Sequence, residues 1–206
     1  MNGISILVAD DHAIVRMGIS SLLGMERDLA LVGEATNGKD AVAEAMRLRP
    51  DVVVMDLMMP KMDGVEATAE LHAKLPEAKV LLITTYGTSD GIAHALDSGA
   101  SGAILKSAAD TELIPAIRKI ASGGTYVSAE IKRQLKSDPP IPDLTPRQLE
   151  ILESMIRGLT NRDIARELGI RQDGVNEHVN AILQKIGAAN RTEAVAIALR
   201  KHLLKI

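Results

Sequence analysis

The sequence predicts an α/β fold with a doubly wound, five-stranded parallel sheet, followed by an all-α domain of four helices that contains a helix-turn-helix. Short β-rich runs alternate five times with helical stretches over the first domain, which is the pattern of a parallel sheet covered by helices on both faces. Three prolines within positions 139–142 indicate a semi-rigid linker, and helix start and stop signals follow it. The predicted boundaries are 1–125 for the α/β domain, 126–142 for a helical and proline-rich linker, and 143–206 for the helical domain.

The five predicted strands are short runs rich in Val, Ile and Leu, and a stretch with helical periodicity follows each of them. The runs at 52–55 and 80–83 are apolar without alternation, as expected for central strands that are buried on both faces. The predicted strands are 4–9, 29–35, 52–55, 80–85 and 103–105. The first predicted helix ends near residue 23, and the other four cover 40–48, 65–75, 89–98 and 111–121.

The helical domain carries clear boundary signals. Residues 145–148 and 160–163 both resemble capping boxes, and the first has a proline at the opening helical position. Gly158 and Gly169 are placed as helix stops. A short helix over 161–168, a turn at 169–170 and a longer helix to about 186 form the helix-turn-helix, and a further helix covers 192–203.

Composition and charge exclude several classes of protein. The chain has 206 residues with 46% hydrophobic and 25% charged residues, which are ordinary globular values. Its longest apolar run, 194–199, is far too short to span a bilayer, and Asp10 and Asp11 disrupt any N-terminal signal sequence. We therefore expect a cytoplasmic protein with no membrane partner. The absence of cysteine excludes disulfides and thiolate metal sites, and the absence of Phe and Trp predicts an aliphatic core.

The two halves of the chain differ in charge. Residues 1–140 carry 14 Lys and Arg against 19 Asp and Glu, a net charge of −5, whereas residues 141–206 carry 10 against 8, a net charge of +2. The second segment is only mildly basic, so its charge alone does not identify a nucleic-acid binder.

Five polar residues stand at the ends of four predicted strands. Asp10 and Asp11 follow the first strand, Asp56 follows the third, and Thr84 and Lys106 end the fourth and fifth. Ligands of such sheets bind beyond the carboxyl ends of the strands, so these residues converge on one edge. Three carboxylates make an all-oxygen site suited to Mg²⁺. A divalent cation beside a carboxylate allows phosphoryl transfer, with Asp56 as nucleophile and acceptor and with Lys106 and Thr84 holding the phosphoryl oxygens.

Seven short segments of the first domain stand in a characteristic order, and together they resemble the receiver domain of bacterial two-component response regulators, which has a flavodoxin-like fold. The resemblance covers about residues 1–125. The segments are Asp10-Asp11-His12, Val54-Met55-Asp56-Leu57, Met58-Met59-Pro60, Asp63-Gly64, Thr84-Thr85-Tyr86, Gly99-Ala100-Ser101-Gly102 and Leu105-Lys106.

The resemblance assigns roles to the polar residues. It implies that Asp56 accepts a phosphoryl group from a sensor histidine kinase and that Asp10, Asp11, Asp56 and the Met58 carbonyl hold Mg²⁺. It further implies that Thr84 and Lys106 report phosphorylation to the surface of the fourth helix and fifth strand. We expect no enzyme activity beyond slow Mg²⁺-dependent self-dephosphorylation, because the sequence shows no separate substrate pocket or additional acid/base group for a phosphatase.

The first domain lacks the aromatic residue that usually acts as a conformational switch in this family. The family usually places Tyr or Phe three residues before the lysine, and here that position is Ala103. Tyr86, two residues after Thr84, is the aromatic residue nearest the pocket. Two roles for Tyr86 stay open: a part in switching together with Thr84, or packing over the pocket with an effect on dephosphorylation. His12 and His178 are interpreted as local packing or capping residues.

A second set of segments resembles the LuxR-type helix-turn-helix of the NarL/FixJ class of response regulators. This resemblance covers about residues 143–206. It implies that phosphorylation of Asp56 controls homodimerisation and binding to double-stranded DNA, and thereby transcription. The segments are Leu144-Thr145-Pro146-Arg147-Gln148-Leu149-Glu150-Ile151-Leu152, Gly158-Leu159-Thr160-Asn161, Ile164-Ala165, Leu168-Gly169-Ile170, Val175, His178-Val179 and Asn190-Arg191-Thr192-Glu193-Ala194.

The predicted recognition helix departs from this family. The family usually caps it with Ser or Thr and carries lysine at the positions of Asn176 and often Asn180, whereas here Arg171 stands at the cap. In one interpretation the helix reads an adenine-containing half-site, because Asn bonds bidentately to adenine. In the other it binds DNA weakly or not at all, because the lysines that attract phosphates are missing. In the second case the protein is a phosphorylation-dependent regulator that binds another protein. The predicted DNA contacts are Arg171, Val175, Asn176, Glu177, Asn180 and Lys185.

The last predicted helix carries Val195, Leu199 and His202 at helical spacing. With other apolar residues on its remaining sides, it has an apolar surface wider than one stripe, which favours a dimer contact. The alternative is a helix that packs only within its own domain.

Overall fold

The computed structural model describes residues 3–85, 89–142, 144–201 and 203–204. The chain divides into two compact units, Met1–Pro139 and Pro140–Ile206. None of the helices in these described ranges is long and apolar enough to cross a membrane.

The first unit alternates strands and helices, as the sequence predicts. The elements are β1 (Ile4–Ala9), α1 (Ala13–Gly24), β2 (Leu29–Ala35), α2 (Gly38–Leu48), β3 (Val52–Asp56), α3 (Gly64–Lys74), β4 (Lys79–Thr84), α4 (Ser89–Asp97), β5 (Gly102–Leu105), a 3₁₀ turn (Lys106–Ala108), α5 (Ala109–Ala121), β6 (Tyr126–Val127) and α6 (Ala129–Ser137).

The strands form one parallel sheet in the order β2-β1-β3-β4-β5-β6. All five residues of β3 are buried, and its side chains alternate between two cores, one on each face of the sheet. The register aligns the carboxyl ends of the central strands, because Asp56 pairs with Ile83 and Thr84 pairs with Leu105. The predicted polar residues therefore lie along one edge.

The sheet has a sixth strand that the sequence analysis assigned to the linker. β6 pairs with β5 in parallel, and the amide of Ser128 donates to the carbonyl of Ala103 at 3.0 Å. Ser128 also caps α6 by accepting from the amide of Ile131, whose side chain is buried in the core of the first unit. The five-stranded prediction is therefore wrong by one strand, and residues 126–137 belong to the first unit. Two residues are too few for strand periodicity to be read from sequence.

The second unit has the four predicted helices: α7 (Pro146–Ile156), α8 (Asn161–Glu167), α9 (Gln172–Ile186) and α10 (Arg191–Arg200). Thr145 and Gln148 form a complete capping box at the start of α7, and Thr160 caps α8. Gly158 and Gly169 adopt positive φ values of 82° and 63°, which fit their predicted roles as helix stops. The four helices enclose an aliphatic core.

Candidate functional site

Lys106 joins the two buried carboxylates at the edge of the sheet. Its ammonium Nζ lies 2.6 Å from Asp10 Oδ2 and 2.8 Å from Asp56 Oδ2. Asp10 directly follows β1, Asp56 ends β3, and Lys106 directly follows β5. Thr84 is buried at the end of β4 on the same edge. The structure thus brings together four residues that lie up to 96 positions apart in the sequence (from 10 to 106).

The pocket carries more negative than positive charge. Burial raises the pKa of the Asp56 carboxyl above its ordinary value, and the hydrogen bond from Lys106 offsets only part of this rise. Burial works against the charged form of Lys106, but its close contacts with the carboxylates of Asp10 and Asp56 outweigh this effect and raise the pKa of the ammonium. The single ammonium therefore offsets only part of the negative charge of the two buried carboxylates.

The carboxylates are spaced as ligands of one cation. Single ligand atoms of Asp10, Asp11, His12 and Asp56 lie within 4.8 Å of one another. Asp10 Oδ2 is buried, and within the described part of the chain it has the ion-pair contact with Lys106 but no hydrogen bond of good geometry. Such an oxygen can ligate a cation, and an oxygen-rich set fits Mg²⁺. The amide of Met58 lies 3.5 Å from Asp56 Oδ1, which places this backbone beside the acceptor carboxylate.

His12 takes part in this cluster, so its interpretation as a packing or capping residue is wrong. It stands at the N-cap of α1 without a side-chain capping bond. Its Nδ1 lies 2.7 Å from Asp11 Oδ1 and 3.3 Å from Asp10 Oδ1. The adjacency of His12 to the two aspartates in the sequence was the signal for this contact.

The segment after β3 holds Asp56 in place through a close backbone approach. The amide of Gly64 donates to the carbonyl of Leu57 at 2.9 Å, and a Cβ added at Gly64 would lie 2.2 Å from the carbonyl oxygen of Asp56. Asp63 and Glu66 form the capping box that starts α3 at this point. A residue without a Cβ is therefore required beside the acceptor.

The expected switch region on β5 is packed by small and aliphatic side chains. Ala103 of β5 is fully buried in the same core cluster as Ile92 of α4 and Ile131 of α6. The helix α6, which lies within the predicted linker, therefore packs against the surface of α4 and β5. Tyr86 lies outside the described residues.

The recognition helix α9 presents only part of the predicted DNA contact. Arg171, Glu177 and Asn180 are exposed. Val175 has 0% exposure in the core of the second unit, so its assignment as a DNA contact is wrong. Val175 and Val179 are four positions apart and so share one face of the helix, and this apolar spacing in the sequence indicates burial.

Two other predicted contacts form hydrogen bonds inside the second unit. Asn161 Nδ2 donates to Asn176 Oδ1 at 2.9 Å, and Arg191 Nη1 donates to Asn161 Oδ1 at 2.9 Å. Lys185 Nζ donates to Gln148 Oε1 at 3.0 Å. Asn176 and Lys185 are thus half-buried and linked to α8 and to the start of α7.

The predicted dimer surface is exposed in part. Leu199 of α10 is 46% exposed, and Val195 is half-buried against the core. His202 lies outside the described residues.

Two family models match the sequence, one in each unit. Residues 6–118 match the response regulator receiver domain, and residues 142–198 match the bacterial regulatory proteins of the luxR family. The chain belongs to the response regulators. Members of this family are generally regulators rather than catalytic enzymes.

Curated relatives cover the whole length of this response regulator. It is 38% identical to the response regulator protein VraR of Staphylococcus epidermidis and 37% identical to VraR of Staphylococcus aureus. Both alignments cover 98% of this chain and 99% of the relative.

Solved structures of response regulators have the same fold. The response regulator ChrA of a heme-sensing two-component system is 33% identical, with 99% of this chain and 100% of ChrA covered and a TM-score of 0.59. RcsB from Salmonella enterica serovar Typhimurium, bound to promoter P1flhDC in the presence of phosphomimetic BeF₃⁻, is 23% identical. The alignment covers 95% of this chain and 98% of RcsB with a TM-score of 0.72, and this likeness shows the fold alone.

Proposed function

We propose that a sensor histidine kinase phosphorylates this response regulator on Asp56, and that phosphorylation controls the binding of its helix-turn-helix unit to DNA and thereby transcription. The observation that carries this proposal is the bridge of Lys106 between Asp10 and Asp56 within a compact cluster of ligand atoms. The match to both family models supports it.

The residues of the pocket have separate roles in the proposed transfer. A carboxylate oxygen of Asp56 attacks the phosphorus of the donor, a new P–O bond forms, and the bond between phosphorus and the donor histidine breaks. Lys106 then pairs with an oxygen of the bound phosphoryl group, and the Thr84 hydroxyl donates a hydrogen bond to another. Asp10, Asp11, Asp56 and the Met58 carbonyl would hold Mg²⁺, which supplies neutralising charge for the phosphoryl oxygens. Slow hydrolysis of the acyl phosphate resets Asp56.

The exposed part of α9 supports a DNA contact centred on Asn180. A bidentate contact to adenine uses both the oxygen and the nitrogen of the amide. Asn176 already accepts a hydrogen bond from Asn161 through its oxygen, whereas Asn180 is exposed. We therefore propose that Asn180 and Arg171 make the main base and phosphate contacts. Exposed Leu199 supports a homodimer contact through α10, which would place two recognition helices on a two-fold site.

A second candidate function is binding to a protein partner instead of DNA. It is favoured by the engagement of Asn176 and Lys185 in hydrogen bonds inside the unit, because both are then less available to DNA. Phosphorylation of Asp56 is common to the two candidates.

The phosphoacceptor is tested by incubating the full chain with acetyl phosphate and Mg²⁺ and locating the modified residue by mass spectrometry after borohydride trapping. We expect a phosphoryl group on Asp56 and none in Asp56→Asn. Asp97→Asn is the matched control, since Asp97 is an exposed aspartate at the end of α4. Labelling of the Asp56→Asn protein at the wild-type rate would contradict the assignment.

A further inference from the structure

Arg16 of α1 makes two directed contacts beside the acidic pocket. Its Nη1 donates to the backbone carbonyl of Asp10 at 2.8 Å, and its Nε lies 2.9 Å from Oε2 of Glu34 on β2. Only 16% of the Arg16 side chain is exposed. The guanidinium fork therefore joins the end of β1 to the neighbouring strand.

These contacts hold both peptide groups that flank Asp10. The amide of Asp10 donates to the carbonyl of Ala35 at 3.1 Å, and Ala35 follows Glu34 at the end of β2. The carbonyl of Asp10 is held by Arg16, which Glu34 in turn orients. Asp10 is thus tied to the same edge strand on both sides, directly through its amide and indirectly through its carbonyl.

We propose that Arg16 is a positioning residue for the acidic pocket. By holding the carbonyl of Asp10, Arg16 fixes the turn between β1 and α1 that carries Asp10 and Asp11, and so sets the affinity of the pocket for a divalent cation. Glu34 keeps the guanidinium directed at the backbone and away from the carboxylates. The inference rests on the proposed function, in which these two aspartates are cation ligands.

The burial of Arg16 separates it from ordinary surface ion pairs of the same unit. Arg49 and Glu77 form a pair at 2.8 Å, but their side chains are 66% and 58% exposed, and within the described residues neither side chain bonds to a residue of the pocket. Arg49→Ala is therefore a matched control for the loss of an arginine that belongs to an Arg–Glu pair.

An electrostatic role and a positioning role for Arg16 predict opposite changes in cation affinity when Arg16 is removed. If Arg16 acted only through its charge, its removal would take a positive group away from the pocket and tighten the binding of a divalent cation. If Arg16 positions Asp10, its removal loosens the turn and weakens binding. Removal of the partner that orients a metal ligand typically weakens metal affinity by roughly 10–100-fold.

The test is Mn²⁺ binding to the full chain, measured by electron paramagnetic resonance for the wild type and for Arg16→Ala, Arg16→Lys and Arg49→Ala. We expect Arg16→Ala to weaken binding by roughly tenfold, in line with the loss of such a partner. Arg16→Lys keeps the charge but cannot present a planar fork to two acceptors, so it weakens binding less and in the same direction. Arg49→Ala leaves binding unchanged.

A second readout separates positioning from stability. The Mg²⁺ concentration for half-maximal phosphorylation by acetyl phosphate should rise in Arg16→Ala in proportion to the loss of Mn²⁺ affinity, and saturating Mg²⁺ should restore most of the rate. Wild-type or tighter Mn²⁺ affinity in Arg16→Ala overturns the proposal. If that variant does not fold, wild-type affinity in Arg16→Lys overturns it. Failure of the wild-type protein itself to bind Mn²⁺ would instead overturn the metal site of the proposed function.

Discussion

Single residues set the charge balance of the pocket. Asp10 and Asp56 are buried and share one ammonium, that of Lys106, and Asp11 adds a third carboxylate at the rim. Buried charges without full compensation are costly, so a bound divalent cation, which offsets the excess negative charge, should stabilise this arrangement. Phosphorylation of Asp56 replaces a carboxylate by a phosphoryl group of at least equal negative charge, so the pocket needs the cation and Lys106 after the transfer as well.

Replacing Lys106 with Met should raise the pKa of the Asp56 carboxyl further in protein without divalent cations. Burial already raises this pKa, and the hydrogen bond from Lys106 is the main opposing effect, which the variant removes. The measurement is a ¹³C NMR titration of the Asp56 carboxyl. Lys74→Met is the control, because Lys74 pairs with Glu70 on the exposed side of α3. An unchanged Asp56 pKa in Lys106→Met would show that the bridge does not act on the acceptor.

Replacing Gly64 with Ala should destabilise the first unit by about 1–3 kcal/mol, the usual cost of forcing extra volume into a packed site. The added Cβ would lie 2.2 Å from the backbone oxygen of Asp56, and backbone cannot move aside as a flexible side chain can. Urea denaturation measures this change. Gly18→Ala is the control, since Gly18 lies in α1 with nothing within 4 Å of the new atom. Equal stabilities of the two variants would exclude strain at Gly64.

Among the elements, β6 and α6 extend the first unit beyond the predicted five-stranded domain. The helix α6 follows β6 and packs on α4 and β5, where Ile131 shares a core cluster with Ala103. The surface expected to report phosphorylation is therefore covered by the segment that leads to the second unit.

Replacing Ile131 with Ala should cost about 2–5 kcal/mol of the first unit's stability, as is typical when a large buried aliphatic side chain is truncated. Ile131 has 0% exposure, so its removal leaves a cavity between α6 and the sheet. Urea denaturation with fixed protein concentration measures the change. Arg133→Ala, at an exposed position of the same helix, should change stability little. A comparable loss in both variants would contradict a packing role specific to Ile131.

In the second unit, Asn180→Ala and Val175→Ala should separate DNA contact from packing. Asn180 is exposed on α9, so its removal should weaken binding to the preferred site by about 1–3 kcal/mol with little change in melting temperature. Val175 is buried, so its truncation should lower the melting temperature. Gel-shift titration and thermal denaturation give the two readouts. Lost stability in Asn180→Ala, with DNA binding intact, would contradict this division of roles.

At the scale of the whole molecule, the sequence predicted what depends on local order along the chain. The strands, the helix caps and the convergence of Asp10, Asp56 and Lys106 all follow from where residues stand relative to strand ends. β6 was missed because two residues carry no periodicity. The hydrogen bond between Asn161 and Asn176 joins side chains from different helices, which no spacing in the sequence reveals.

Phosphorylation of Asp56 is expected to control DNA binding by the two-unit chain. The most direct measurement is selection from a random duplex library by the full protein and by Asp56→Asn, each with and without acetyl phosphate and Mg²⁺, followed by sequencing of the retained DNA. We expect a two-fold motif whose enrichment increases on phosphorylation of the wild type and does not change in Asp56→Asn. Enrichment of no motif in any condition would contradict DNA binding, and equal enrichment in all conditions would contradict its control by Asp56.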